Sequence, residues 1–174
     1  MPAPPGSGKS TLCAGLVHRG WRLLSDELAL ISLIDASITP LARPISLKNQ
    51  SIDIIRNFVA DSVMSKVVHD TSKGSVALLK VPTAHLDRIH ETARPSWVVF
   101  PKYIPNSPPL MVPRSKANSM LELGRNSFNY MVLGLKGFQV LSKVIDASDC
   151  YDFHYSQLDD AVTSFEDLVN RRIS

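Results

Sequence analysis

The chain has 174 residues, of which 44% are hydrophobic and 20% are charged, and its formal net charge is +3. These values are typical of a globular chain, and the length favours a single domain spanning residues 1–174. The net charge is too small to indicate nucleic-acid binding, and no apolar run approaches the roughly 18 residues of a membrane span, so we expect no nucleic-acid and no membrane partner.

The first residues match a phosphate-binding loop of the Walker A type. Residues 3–10, APPGSGKS, fit the pattern G-x-x-x-x-G-K-[ST], except that Ala3 occupies the first glycine position. Alanine is tolerated there if its backbone angle is ordinary. Lys9 is predicted to reach the terminal phosphates as a cation, and the Ser10 hydroxyl is a predicted Mg²⁺ ligand. The predicted phosphate-binding residues are Gly6, Ser7, Gly8, Lys9, Ser10 and Thr11.

A loop of this kind usually follows a buried strand, and residues 1–5 cannot supply one. Three explanations are open: the chain is a fragment, its start has been misplaced, or another segment takes the place of that strand. We expect a truncated start, with the first strand of the fold missing from the chain.

The remaining elements alternate between helix and strand patterns. Helices are predicted at residues 10–19, 51–58, 84–91, 115–132, 137–145 and 158–172. Strands or extended runs are predicted at residues 21–25, 28–34, 40–47, 76–81, 97–100, 110–112 and 151–155, and residues 61–74 are predicted to be a loop. The pattern indicates a mixed α/β fold. Cys13 in the first helix and Cys150 in a polar turn do not suggest a disulfide framework, so we expect a cytoplasmic protein.

Asp26 is the predicted catalytic carboxylate. Mg²⁺-dependent phosphoryl transfer needs an acid near the terminal phosphate, which holds the metal through water or accepts a proton from the attacking hydroxyl. Asp26 ends the strand predicted over residues 21–25 and follows Lys9 by 17 positions (26 minus 9), so that strand can lie beside the strand of the loop. Glu27 should point the other way if the strand continues. The alternative is that Asp26 merely ends a strand in a turn.

The segment GSGKSTLCAGLVHRGWRLLSDELALI resembles the C-terminal kinase domain of HPr kinase/phosphorylase, a bacterial family. The short distance from loop to acid is similar to that of the wider group shared with phosphoenolpyruvate carboxykinase. The chain most resembles the type A HPr-kinase-related kinases, found with exopolysaccharide and exosortase gene sets, through RPISLKNQSIDIIRNF, WVVFPKY, VPRSKANSMLELGRNSFNY and CYDFHYSQLDDAV. The resemblance implies an α/β P-loop kinase core with a mixed sheet and flanking helices, use of ATP and Mg²⁺, and homo-oligomers.

The resemblance also implies a role for each matching residue. Lys9, Ser10 and the loop amides would bind the phosphates of ATP and Mg²⁺. Asp26 matches the first acid of a pair, the proposed base that takes the proton from a substrate serine. Glu27 matches the second acid, a helper near the metal, and Lys48 matches a signature arginine that would neutralise phosphate charge.

The sequence departs from the family in the segment associated with dephosphorylation. Ser46 stands where the family has a metal-binding glutamate, and Asn49 and Ser51 replace glycines, so we do not expect phosphorylase activity. The predicted function is an ATP-dependent kinase that phosphorylates a serine hydroxyl of an HPr-like protein, of another protein or of a small molecule. Two alternatives remain: a nucleotide-binding regulator without transfer, and a simple ATPase.

Overall fold

The computed structural model describes residues 1–173, which form eight strands and seven helices. The helices are α1 (Lys9–Val17), α2 (Gln50–Phe58), α3 (Thr83–Leu86), α4 (Lys116–Arg125), α5 (Tyr130–Leu133), α6 (Leu135–Asp146) and α7 (Leu158–Ile173). The strands are β1 (Leu30–Ile31), β2 (Ile38–Thr39), β3 (Ile45–Lys48), β4 (Val68–Thr71), β5 (Gly74–Leu79), β6 (Trp97–Tyr103), β7 (Leu110–Pro113) and β8 (Asp149–Tyr155). The predicted α/β class is confirmed. Across this described range, no helix has the length and apolar character needed to cross a bilayer.

The strands form three separate sheets, whereas one mixed sheet was expected. β1 and β2 form an antiparallel pair, and β3, β5 and β4 form an antiparallel sheet in that order. The third sheet has the order β6–β8–β7 and is mixed, since β6 runs parallel to β8 while β7 runs antiparallel to it. The β6–β8 register ends at the pair Tyr103 and Tyr155. The carboxyl ends of both parallel strands therefore lie at the same edge of the sheet.

The mixed sheet is covered on both faces. Phe153 of β8 and Val99 of β6 belong to the larger core, which also takes in buried residues of α1, α2, α7, β3 and β5. Val98 and Phe100 of β6 face the opposite side and pack with residues of α6. In α1, every residue from Leu12 to Val17 is buried. A helix that is apolar around its circumference must be enclosed by other elements, and other elements do enclose α1.

Six aromatic rings form a continuous chain through the larger core. Neighbouring ring centroids are 6.5, 5.9, 5.5, 5.4 and 6.0 Å apart, which is within the range of favourable aromatic pairs. In order, the rings are Trp97, Trp21, Phe165, Phe153, Tyr155 and Tyr103. This chain links the start of β6 to the carboxyl ends of β6 and β8.

The strand predicted over residues 21–25 is wrong. Gly20 has a φ of +94°, and the Trp21 N–H donates to the Leu16 carbonyl at 3.1 Å, so the chain folds back along α1. The Leu23 N–H then donates to His85 Nδ1 at 3.2 Å, a side-chain acceptor in place of a neighbouring strand. Leu23 is buried in the core and Trp21 packs against the core, without a sheet ladder.

Other elements also differ from the sequence predictions, and of the strands predicted at 28–34 and 40–47 only the short β1 and β3 form. The predicted loop at 61–74 contains β4, whose residues are mostly exposed and polar and so show no apolar alternation. Of the helix predicted at 84–91, the structure has only the short helix α3. The predicted helix at 115–132 is divided because α4 ends at Arg125, where the Asn126 side chain donates to the Glu122 carbonyl at 2.9 Å and competes with the helical bonds.

We expect Phe153→Leu to lower the free energy of unfolding by about 1–3 kcal/mol, because Phe153 is fully buried and its ring contacts both Tyr155 and Phe165. Phe138→Leu is the matched control, since Phe138 is 49% exposed and its replacement should cost less than about 0.5 kcal/mol. Urea denaturation measures both values. Equal losses would contradict the central position of the Phe153 ring.

Candidate functional site

The predicted phosphate loop lies at the carboxyl ends of β6 and β8. The Tyr103 backbone N–H donates to the Ser7 carbonyl at 3.0 Å, and the Tyr155 hydroxyl donates to the Gly8 carbonyl at 2.9 Å. Burial raises the pKa of Tyr155 above its usual value, so its hydroxyl keeps the proton that it donates. The carboxyl edge of parallel strands is where ligands bind in open α/β sheets. Residues 1–8 form no strand, and these two bonds hold the loop instead.

Two glycines shape the loop. Gly6 and Gly8 have φ values of +82° and +84°, which side-chain-bearing residues rarely adopt. A Cβ added at Gly8 would collide with the Tyr155 hydroxyl and approach the Tyr103 Cβ to 3.2 Å, whereas a Cβ at Gly6 would meet nothing within 4 Å. Ala3 is not among the positive-φ residues of the described chain, so the condition under which alanine is tolerated at this position is met.

The loop combines a cation with the start of a helix. The Lys9 ammonium donates to the Ala3 carbonyl at 3.1 Å, so it reaches back to the first residue of the pattern. No side chain caps the N-terminus of α1, and its first N–H groups and its positive dipole end are available to an anion. Within residues 1–173 the buried Ser7 hydroxyl also has no hydrogen-bond partner.

Asp26 lies beside the first turn of α1. The Ser10 hydroxyl donates to Asp26 Oδ2 at 3.2 Å, and the Ser46 backbone N–H lies close enough to favour the charged form of the carboxylate. Asp26 Oδ1 is buried, and it has no partner among the residues that the structure describes. The segment that carries Asp26 is irregular, so the carboxylate reaches the loop without the predicted strand. A buried oxygen without a partner indicates a site that a further group would complete.

The charge state of Asp26 reflects this partly buried position. Burial raises its pKa above the ordinary value, and the nearby Glu27 charge raises it further. The Ser10 hydrogen bond, the Ser46 backbone N–H and the Lys9 cation lower the pKa and do not cancel the effect of burial. The neighbouring Cys13 thiol has its pKa raised to about 12, first by burial and then by the Asp26 charge, so it stays neutral. A carboxylate whose pKa is raised is better suited to accept a proton.

The other predicted residues lie further from direct contact. Glu27 and Lys48 are exposed, and neither side chain forms a hydrogen bond or an ion pair with any described residue. Lys48 ends β3, two positions after Ser46 and on the same face of the strand. Thr11 is half-buried in the first turn of α1.

A divalent metal at this site would depend on few protein ligands. Residues 1–173 contain no group of three or more His, Cys, Asp or Glu side chains arranged to hold a metal. Mg²⁺ usually binds one or two protein oxygens together with substrate phosphates and waters. The Ser10 hydroxyl and the unpaired Asp26 Oδ1 fit that requirement.

The sequence did not indicate the residues that hold the loop. Tyr103 and Tyr155 each end a strand beside the loop, and Ser46 contributes through its backbone. Tyr155 ends the strand predicted at 151–155 and is a usable signal, because the carboxyl ends of parallel strands meet the ligand crevice, whereas Tyr103 lies beyond the strand predicted at 97–100. A residue that contributes through its backbone N–H cannot be recognised from its residue type.

We expect Gly8→Ala to lower the free energy of unfolding by about 2–4 kcal/mol, because it adds a collision with Tyr155 to the strain of a left-handed backbone. Gly6→Ala is the matched control and carries the backbone strain alone, about 1–2 kcal/mol. Chemical denaturation compares the two variants. A loss for Gly8→Ala no greater than that for Gly6→Ala would rule out the close approach of Tyr155.

We expect Asp26→Asn to stabilise the fold at neutral and alkaline pH. The folded protein holds the Asp26 proton more tightly than the unfolded chain does, so wild type loses stability as the pH rises above 3.8 and through the raised pKa. Asparagine does not titrate, so the gain in Tm should grow as the pH rises above 3.8 and should level off once the pH has passed the raised pKa. The exposed Asp61→Asn is the control and should show no such trend. A gain that shrinks with rising pH would contradict the burial of Asp26.

Comparisons of the chain with protein-family models, with curated proteins and with solved structures found no match.

Proposed function

We propose that this chain is an ATP-dependent kinase that transfers the γ-phosphate to a serine hydroxyl of an HPr-like protein or a related acceptor. The observation that carries the proposal is the hydrogen bond from Ser10 to Asp26 at 3.2 Å, which joins a carboxylate to the turn that follows Lys9. A loop that binds phosphate and an acid beside it are the two parts that phosphoryl transfer requires. On this proposal the fold is a P-loop kinase core of the HPr kinase and phosphoenolpyruvate carboxykinase type.

The loop residues would bind the nucleotide. The glycine-rich backbone at residues 6–8 and the uncapped start of α1 would donate N–H groups to the phosphates, and Lys9 would exchange its bond to Ala3 for a phosphate oxygen. Mg²⁺ held by Ser10, with Glu27 or Asp26 through water, would neutralise charge on the phosphates. Lys48 would add positive charge only if its long side chain turns towards the loop.

Asp26 would act on the acceptor. The acceptor oxygen forms a bond to the γ-phosphorus while the bond between that phosphorus and the β–γ bridging oxygen breaks, and ADP leaves. The proton of the acceptor hydroxyl passes to Asp26, whose raised pKa favours holding it. Lys9, close enough to Asp26 to lower its pKa, would stabilise the negative charge that develops during transfer.

Asp26 would equally orient a water molecule, and this makes a simple ATPase the second candidate. A phosphorylase is not favoured, because Ser46 brings only its backbone N–H to the carboxylate and no second acid. A nucleotide-binding regulator would use the loop alone and leave Asp26 without a role.

The test uses ATP labelled at the γ-phosphate, with a bacterial protein extract as the source of acceptors. Wild type should transfer label to protein. Lys9→Ala and Asp26→Asn should each lower the rate by about 100-fold or more, since one removes an electrostatic contact and the other removes the base. Lys136→Ala, at an exposed lysine of α6, is the control and should retain the wild-type rate.

The position of the label separates the candidates. Label released as inorganic phosphate would indicate an ATPase, and intact ATP bound in the presence of Mg²⁺ would indicate a regulator. Full transfer by Asp26→Asn would show that Asp26 is not the base. Calorimetry that detects no Mg-ATP binding to the folded protein would reject the kinase, the ATPase and the regulator alike.

A further inference from the structure

A groove of about 420 Å³ lies on the outer face of the β3–β5–β4 sheet. In β3, Ile45 and Leu47 are fully buried and face the core, so Ser46 and Lys48 face outward. The register places Ser46 opposite Leu78 of β5, and Leu78 also lines the groove. The groove floor is therefore the solvent face of this sheet.

The groove adjoins the Asp26 carboxylate through Ser46. The Leu78 N–H donates to Ser65 Oγ at 3.0 Å, and the Leu78 carbonyl accepts from the Ser65 N–H at 2.9 Å, so the backbone of Leu78 faces away from β3. In an antiparallel pair the opposite residue then also faces away. The Ser46 N–H accordingly lies on the free edge of β3, where it helps to lower the pKa of Asp26, while the Ser46 side chain lines the groove.

The lining of the groove combines aliphatic and basic groups. Val68 and Leu78 are 59% and 46% exposed, which leaves apolar surface available on neighbouring strands. Lys73 lies at the tip of the β4–β5 hairpin and also lines the groove. Lys48 stands at the rim, two positions from Ser46. No acidic residue lines the groove within the described chain.

The rim beside Lys48 is held in a defined conformation. Asn49 has a φ of +51°, which is uncommon for a residue with a side chain. Its backbone N–H donates to the Ser75 carbonyl at 2.9 Å, and its Oδ1 accepts from the Ser75 N–H at 3.0 Å. These two bonds fasten the end of β3 to the start of β5, so the basic rim has a fixed position relative to the groove floor.

We propose that this groove binds the peptide segment of the acceptor next to its reactive serine, and that this segment carries an aliphatic and an acidic side chain. The inference rests on the proposed kinase function. The aliphatic side chain would cover Val68 and Leu78, gaining about 25 cal/mol per Å² of apolar surface removed from water. The acidic side chain would pair with Lys73 or Lys48. A small polar acceptor would leave the apolar floor uncovered.

The first experiment measures binding without nucleotide. Fluorescently labelled peptides of about nine residues with a central serine would carry Leu and Glu, Leu and Lys, or Ser and Glu beside it. Fluorescence anisotropy should show the tightest binding for the Leu and Glu peptide. Lys73→Glu should weaken that peptide about fivefold or more and favour the Leu and Lys peptide, because an attraction becomes a repulsion. Leu78→Ser should remove the advantage of Leu over Ser.

Lys136→Glu is the matched control, since it makes the same charge change on α6, and it should keep the wild-type order of peptides. Equal binding of all peptides, or an order that Lys73→Glu leaves unchanged, would overturn the groove proposal.

The second experiment uses the same peptides, and free serine, as acceptors for γ-labelled ATP. Transfer that follows the order of binding and responds to Lys73→Glu would support the groove. Two results would overturn the groove proposal without contradicting the kinase proposal. One is transfer to free serine at the same rate as to the peptides, and the other is an order of peptides that Lys73→Glu does not change. Ordered peptide binding without label transfer would instead reject the kinase and the acceptor role of the groove, while the anisotropy result would still establish a peptide site.

Discussion

The attachment of the loop to the ends of β6 and β8 is the constraint on which the rest of the structure depends. The Gly8 carbonyl is held by Tyr155 and the Ser7 carbonyl by Tyr103, so α1 must start at Lys9 and run into the larger core. Because Leu12 and its neighbours are buried on every side of α1, the helix cannot rotate to suit a different loop. The direction of Ser10 towards Asp26 follows from this fixed start.

The site also illustrates how stability and chemistry oppose each other. Asp26 is a partly buried carboxylate with one unpaired oxygen, an arrangement that costs folding free energy. A single hydroxyl, a strand-edge N–H and the Lys9 cation offset part of that cost. The arrangement is understandable if the missing partner is a ligand, because groups poised for chemistry are often left incomplete in the free protein.

The sequence predicted the parts that depend on short-range patterns. Residues 3–10 define the loop through glycine, lysine and hydroxyl positions, and α2 and α7 follow from apolar spacing. The strand at 21–25 failed because Trp21 packs against Phe165, which is distant in sequence. The helix α4 ends at Arg125, where the Asn126 side chain donates to the Glu122 carbonyl, a local contact that apolar spacing does not reveal. The groove could not be predicted, because it exists only through the β3–β5 register and the outward alternation of Ser46.

The ring chain has a practical consequence for spectroscopy. Both tryptophans of the chain, Trp21 and Trp97, sit together at the amino-terminal end of β6. The other end of that strand, where Tyr103 touches the loop, is roughly 20 Å away at the usual rise per residue. The tryptophan fluorescence will therefore report on the packing of α7 against α1 during denaturation. It should change very little when an anion binds to the loop. A test of the proposed nucleotide binding therefore needs a reporter fluorophore introduced near position 103.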